Sequence, residues 1–584
     1  MQVLRIVSEW LFKKLSNRQF LMVGAVIVGL WAGLSAVSLK ISVHYLQELL
    51  KPLGQEYSWV YFVSPTVGIL FTYLFIKLFL NGELVRGTSH VLLAIAKKSS
   101  FLPRKEVYSH LVTSALTVGM GGSAGLESPI VQTGAAIGSV FSSFFPVGYR
   151  DRTLLLACGA AAGIATAFNA PIAGVLFALE VLLVDVNISA FIPLLISGAT
   201  GALCSKIILS EGIPLSFRQI SDFNYYNIPF YVMLGIACGL VSVFYLRAFI
   251  RTETLFKKKL KSGASRLVIG GISLGLLIWL FPALFGEGYS SIKALALSKP
   301  EQLFNGSPLY DFFKTEWVLS LAILLVGLVK VFAVSFTLGA GGNGGNFAPS
   351  LLVGACLGFS FAFIGNATGL INLPTSNFCL VAMAGVLTGI FHSPLTAIFL
   401  IAEITGGYDL IIPLMLVSAL STAVSKYLNP HSLDEAKLFQ TTKSIFFGKD
   451  VHVLSQLSLE GFIEKDFIPV QLGSNLRTLT EAVVRSKRNI FPVIDGLGKL
   501  AGIIALEDIR EIMFNTSKYD SVLVDQLMRK PLVTANFDDD MNMVMEKFDK
   551  SGVWNIPVLN DGEYLGFVSK SRVFSNYRDR LKYD

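Results

Sequence analysis

One carboxylate stands alone in the long stretch between Glu106 and Arg150: Glu127, set in GGSAGLESPIVQTGAAIG (121–138). Its neighbours decide what chemistry is open to it. Glycines such as Gly125 let backbone approach backbone and free N–H groups to point inward. Pro129 falls in the first turn of the helix that follows, where its missing N–H costs little and its fixed φ starts the helix. The product is a helix N-terminus with unpaired N–H donors and the positive end of the macrodipole. Partial charges of that kind hold a small anion strongly enough to strip its water and weakly enough to release it. Gly125, Leu126, Glu127 and Ser128 are therefore expected around an anion. A carboxylate in this place can occupy the anion position itself and vacate it when protonated or pushed aside. Glu127 reads as a gate sensitive to pH and to the anion; the alternative is a buried structural Glu.

The same pattern returns as GGNGGNFAPSLLVGACLG (341–358), in which Gly125 matches Gly345, Pro129 matches Pro349, and Gly134 and Gly138 match Gly354 and Gly358. The following segments AFNAPIAGVLFALE (167–180) and IFHSPLTAIFLIAE (390–403) agree through Phe168/Phe391, Pro171/Pro394 and Glu180/Glu403. The offsets, 220 and 223 residues, are nearly constant, so two blocks repeat in the same order. Two halves of one ancestral unit are the consequence, and two helix N-termini converging on one point. The second terminus adds Asn346, Phe347 and Ala348 to the expected anion site. Close helix packing is the other use of such glycines, but packing alone does not require a proline at the same offset in both copies.

The elements that position these motifs are membrane helices. The chain of 584 residues is 53% hydrophobic and only 15% charged, with a mean hydropathy of +0.61. A soluble domain carries nearer a quarter charged residues. No Asp, Glu, Lys or Arg occurs between Lys330 and Glu403, and residues 20–39, 57–76, 187–205, 223–246 and 267–286 are uncharged as well. Each is about long enough to cross a hydrocarbon core. An all-α polytopic domain is expected over 1–440, as two inverted-topology repeats near 20–210 and 225–430. Glycine and proline interrupt the hydrophobic runs, so discontinuous helices lining a cavity are expected. The first apolar run lacks a small-residue cleavage site and is not read as a signal peptide. Arg5, Lys13, Lys14 and Arg18 precede it, which places the N-terminus in the cytoplasm. The net charge of +8 fits cytoplasmic loops and tail, or anion-attracting vestibules. All five cysteines lie in apolar segments and read as reduced packing residues. His90, His392 and His431 lack metal-ligand spacing, and His392 before Pro394 reads as a polar cap. No metal and no nucleic acid are expected.

Residues 451–584 change character, alternating β-rich runs such as NIFPVID and WNIPVL with amphipathic stretches such as LRTLTEAVVRS and MNMVMEKFDKS. Two similar α/β units, about 451–515 and 521–584, follow from that alternation. They resemble a tandem pair of CBS domains. The resemblance implies an adenine nucleotide between the repeats, on a Ser/Thr and an Asp three residues later. The first unit has Ala505 and Asp508, the second Ser569 and Arg572, so each site is half complete. The alternative is a folded tail that aids dimer assembly; no cofactor is required for anion movement.

GLESP resembles the GREGP/GKEGP signature of the CLC chloride channel and transporter family. GGNFAP is similar to its GGIFAP, AFNAPIAGVLFALE to its AFNAPLAGILFxxEE, and HSPLT to its second-half counterpart. With the CBS pair, the resemblance covers nearly the whole chain. It implies a homodimer in the cell membrane, a pore in each subunit, about eighteen mostly tilted helices, cytoplasmic termini, and passive or proton-coupled anion movement.

The departures alter the expected centre. Where the family carries GSGIPE this chain reads VRGTSH (85–90), which sets Arg86 at the position of the anion-binding serine, with Gly87 beside it in the expected site. Where the family carries SIYT before a Lys-Leu this chain reads SLDE, which puts Asp434 in place of the central tyrosine. Arg86 and Asp434 either pair at the inner mouth, with Arg86 offering its remaining donors to the anion, or turn to the vestibule and neutralise each other. Asn346 adds an amide. Proton-coupled members carry a second glutamate directly after the one matched by Glu180; here Val181 follows. That favours a passive channel, while Asp434 or Asp185 remain substitutes for an exchanger. A metalloprotease would need HExxH, which is absent, and a Mg²⁺ channel would need convergent carboxylates. Chloride is the anion implied, with bicarbonate, nitrate or fluoride as alternatives.

Overall fold

The computed structural model describes residues 16–57, 59–97, 100–183, 188–208, 223–260, 262–369, 371–441 and 458–583. The chain divides into two compact units at Ile445/Phe446. The first is helical throughout. Its first half contains α1 (Asn17–Glu56), α2 (Trp59–Phe79), α3 (Thr88–Lys97), α4 (Glu106–Gly119), α5 (Glu127–Ser142), α6 (Tyr149–Phe168), α7 (Pro171–Phe177) and α8 (Ile188–Ile208). The second half contains α9 (Ile228–Lys259), α10 (Gly263–Leu280), α11 (Tyr289–Ala296), α12 (Glu316–Gly339), α13 (Phe347–Ala367), α14 (Thr375–Phe391), α15 (Pro394–Thr405) and α16 (Ile411–Leu428). A last short helix, α17 (Leu433–Thr441), follows. Among the described residues nine helices are long and apolar enough to cross a membrane. The protein is a polytopic membrane protein.

Helices α1–α8 and α9–α16 succeed one another in the same order, and the repeat is visible atom by atom. Asn169 and His392 end α6 and α14 in the same left-handed conformation, φ 51° and 56°. His392 thus caps a helix with its backbone, as its position before Pro394 suggested. Ser123 N–H donates to Thr337 Oγ1 and Asn343 N–H to Thr117 Oγ1, each at 3.0 Å. Each loop therefore anchors on the threonine that matches its own neighbour in the other half.

The repeated glycines divide into two roles. Gly134 and Gly159 set α5 against α6 backbone to backbone; a Cβ at Gly159 would lie 1.9 Å from the Gly134 carbonyl oxygen. Gly358 does the same for α13 against the Phe378 carbonyl of α14. Those positions serve packing. Gly125 and Gly345 do not, and belong to the site. The five cysteines are free and buried.

The second unit holds two sheets of one design. β1 (Val470–Gln471) pairs parallel with β2 (Ile490–Ile494), which pairs antiparallel with β3 (Leu500–Ala505). β4 (Ala535–Asn536), β5 (Asn555–Asn560) and β6 (Glu563–Ser569) repeat that arrangement, with a register shift at the corresponding step of the central strand. The amphipathic helices α18 (Leu476–Arg485) and α19 (Met541–Ser551) bury Leu476 and Leu479, and Val544 and Phe548, beside the sheets. The alternation in the sequence is thus an α/β pair.

Candidate anion site

The two glycine-rich loops meet through equivalent residues. Gly125 N–H donates to Gly345 O at 2.9 Å and Gly345 N–H to Gly125 O at 2.7 Å, an antiparallel bridge of a residue with its own counterpart. From it α5 and α13 start two residues later, at Glu127 and Phe347. Neither N-cap, Leu126 or Asn346, offers a side-chain cap, so their first N–H groups are left for another acceptor. That acceptor is Glu127. Its Oε2 takes the Ala348 N–H of α13 at 3.3 Å, the carboxylate also accepts its own main-chain N–H, and its Oε1 receives the Tyr289 hydroxyl. Gly125 makes the room: a Cβ there would lie 2.2 Å from Glu127 Oε2. Glu127 is 2% exposed.

Glu127 lies in the wall of a cavity of about 340 Å³, together with Arg86, Gly87, Ser128, Asn346, Phe347 and Asp434. Gly125, Leu126 and Ala348 are fully or almost fully buried behind that wall and contribute backbone. Tyr245 Oη donates to Asn346 Oδ1 at 2.9 Å and so fixes the amide by its oxygen end.

Arg86 and Asp434 share the cavity but do not pair. The expected ion pair is replaced by two helix-end contacts. Arg86 Nη1 donates to the Leu338 carbonyl at 3.5 Å, in the last turn of α12, and its Nε is buried without a partner. Asp434 sits against the Ser89 N–H in the first turn of α3 and beside Lys437. A cation goes to a helix C-terminus and an anion to a helix N-terminus, and these two satisfy the rule separately. Glu253 and Lys257, 3.1 Å apart, and Lys437 complete the charged lining.

Glu180, the repeat match of Glu403 and the residue that Val181 follows, has a structural task. Its carboxylate accepts the N–H groups of Leu395 (3.0 Å) and Thr396 (2.7 Å) at the start of α15. Glu403 accepts those of Ile172 (3.1 Å) and Ala173 (2.8 Å) at the start of α7. Val181 follows Glu180 inside a π-helical turn, Ala178–Leu182. Asp185 lies outside the described residues.

Several site residues escaped the sequence reading. Tyr289 is the first residue of α11, and Lys40, Glu287 and Lys330 stand at the ends of uncharged stretches, where they were treated as boundaries. A second buried polar pair, His90 Nδ1 and Glu106 Oε2 at 3.4 Å, reaches the same cavity through His90.

In the second unit Asp508 Oδ2 accepts the Ala505 N–H at 2.9 Å and lies 3.6 Å from Arg529 Nε. Ser569 Oγ donates to Glu464 Oε1 at 2.9 Å. Glu464, 5% exposed, is also paired with Arg488 and lies 3.9 Å from Arg572. Both residues expected at a nucleotide are thus engaged within the unit.

Residues 67–426 match the model of the voltage gated chloride channel family, and residues 524–579 match that of the CBS domain. The chain is 30% identical over 380 residues to a ClcB-like protein of Ralstonia nicotianae, covering 64% of this chain and 83% of that one. It is 28% identical over 340 residues to the H(+)/Cl(-) exchange transporter ClcA of Vibrio cholerae, covering 56% and 68%. Its fold is that of a slow cyanobacterial Cl-/H+ antiporter, with a TM-score of 0.63 at 22% identity over 73% of this chain and 98% of that one. With a family match over more than half its length, the chain belongs to the voltage gated chloride channel (CLC) family.

Proposed function

We propose that the chain is a passive conduit for chloride, with Glu127 as its gate. The observation that carries this reading is the seat of the Glu127 carboxylate, on main-chain N–H groups of both repeats and at the wall of a cavity. It is a tethered anion in a site built from partial charges. Arg86, with one buried donor free, is the residue that draws the anion into the cavity. Passive movement is favoured because Glu180 is committed to capping α15 and is followed by Val181. The reading includes a homodimer in the cell membrane with both termini in the cytoplasm.

A specific observation favours proton-coupled exchange as a second reading. The His90–Glu106 pair is buried, lines the cavity through His90, and is distinct from Glu127. The Vibrio cholerae relative and the cyanobacterial neighbour are described as exchangers. Reconstitution in vesicles decides: an imposed chloride gradient drives no uphill proton movement in a passive conduit, and uphill movement establishes the exchanger. Repeating the flux with bicarbonate, nitrate and fluoride identifies the anion.

A further inference from the structure

The loop 281–288, between α10 and α11, is fastened to the first glycine-rich loop. Fully buried Lys330 donates to the carbonyls of Leu284 at 3.2 Å and Gly286 at 3.0 Å. Gly286 N–H donates to Gly121 O at 3.2 Å. The Phe285 ring fills the space above Gly121, where a Cβ would come within 2.1 Å of it. Glu287 is therefore delivered to a fixed place beside α5. There its carboxylate lies beside the Leu126 N–H and near Glu127, Lys40 and Lys330. Its Oε1 is buried and has no hydrogen-bond partner.

Two carboxylates thus stand at one helix N-terminus: Glu127 on its own N–H and that of Ala348, and Glu287 beside that of Leu126. Like charges this close repel unless a cation stands with them, and Lys40 and Lys330 are those cations. Lys40 and Glu287 are half-buried, while Glu127 is buried. The cluster therefore leads from Glu127 toward the surface, away from the Arg86-lined cavity, whose wall includes Glu127.

We propose that Glu287 is a second carboxylate gate in series with Glu127, and that Lys40 receives the anion when both carboxylates have moved aside. This rests on the reading of the chain as an anion conduit. An anion that passes Glu127 meets the Leu126 N–H next, and Glu287 stands beside that donor. Neutralising Glu127 alone opens the first gate and leaves the Glu287 carboxylate in the path. Neutralising both frees the path, so the two changes act together rather than independently.

The test is chloride efflux from vesicles containing the full chain as wild type, Glu127→Gln, Glu287→Gln and the double variant. The double variant is expected to exceed Glu127→Gln by about tenfold, the scale of one unit charge removed beside the path. Equal efflux from the two overturns the proposal. Lys40→Met in the double variant should lower efflux by a similar factor, with Lys40→Arg restoring it; unchanged efflux removes Lys40 from the path. Bromide anomalous scattering from crystals of Glu287→Gln gives a readout independent of transport. A bromide at the Leu126 N–H, absent from wild type, supports the second gate even if no variant passes chloride, which would instead refute the conduit reading. No bromide there counts against Glu287.

Discussion

Glu180 and Glu403 cap across the repeat: Glu180 takes two N–H groups from the first turn of α15, the helix that contains Glu403, and Glu403 takes two from the first turn of α7, the helix that precedes Glu180. Each also closes the half of the repeat it does not belong to. Charge-assisted bonds to a helix N-terminus stabilise by roughly 1–3 kcal/mol. Glu180→Gln and Glu403→Gln should each cost about that much, and the double variant about their sum, since the two caps share no atom. Thermal unfolding of the purified chain checks this. If both residues are structural, neither single variant changes the pH dependence of chloride flux.

Glu127→Gln keeps the shape of the side chain and removes its charge. Chloride flux should rise, and its pH dependence should weaken. A flux–pH curve parallel to that of wild type would remove Glu127 as gate.

Arg86 adds a buried positive charge to a cavity also lined by Lys257 and Lys437 and by the carboxylates Glu127, Glu253 and Asp434. Arg86→Ser should weaken apparent chloride affinity by about tenfold, in line with the loss of one charge at a partly screened site. Affinity is read from the concentration dependence of flux at low salt. Asp434→Asn should leave that affinity nearly unchanged, because Asp434 serves the start of α3 and not Arg86.

Glu464 holds Ser569 from inside the second unit. Glu464→Ala leaves Arg488 with Asp466 as its carboxylate partner, takes the nearby carboxylate from Arg572, and should lower the midpoint of unfolding of that unit. It also releases the Ser569 hydroxyl. If an adenine nucleotide is a ligand of this tail, calorimetry should find it binding more tightly to Glu464→Ala than to wild type; no change in heat would place any nucleotide elsewhere.

Much of this was legible in the chain because the repeat repeats its chemistry. Glycines and prolines at a constant offset located both helix starts, and the isolated Glu127 marked what sits between them. The partners of Glu127 were not legible, for a physical reason. Tyr289, Lys40 and Glu287 come from segments that carry no motif, and only the folded loop 281–288 brings two of them to α5. The Arg86–Asp434 pairing failed for a related reason. Opposite charges at matched family positions suggest a pair, but the nearer partners of each are the ends of α12 and α3, and backbone dipoles have no letter in a sequence.

The reciprocal bridge of Gly125 with Gly345 has a mechanical consequence. Two pore helices welded at their starts by paired main-chain bonds, with α5 and α13 each locked backbone to backbone against the next helix, cannot rock apart cheaply. What remains free to move is side chain, and side-chain rotation is a nanosecond event with a low barrier. Anion flux through this protein should therefore show the shallow temperature coefficient of ions diffusing in water, rather than the steep one of a machine that must rearrange its domains for every ion it moves.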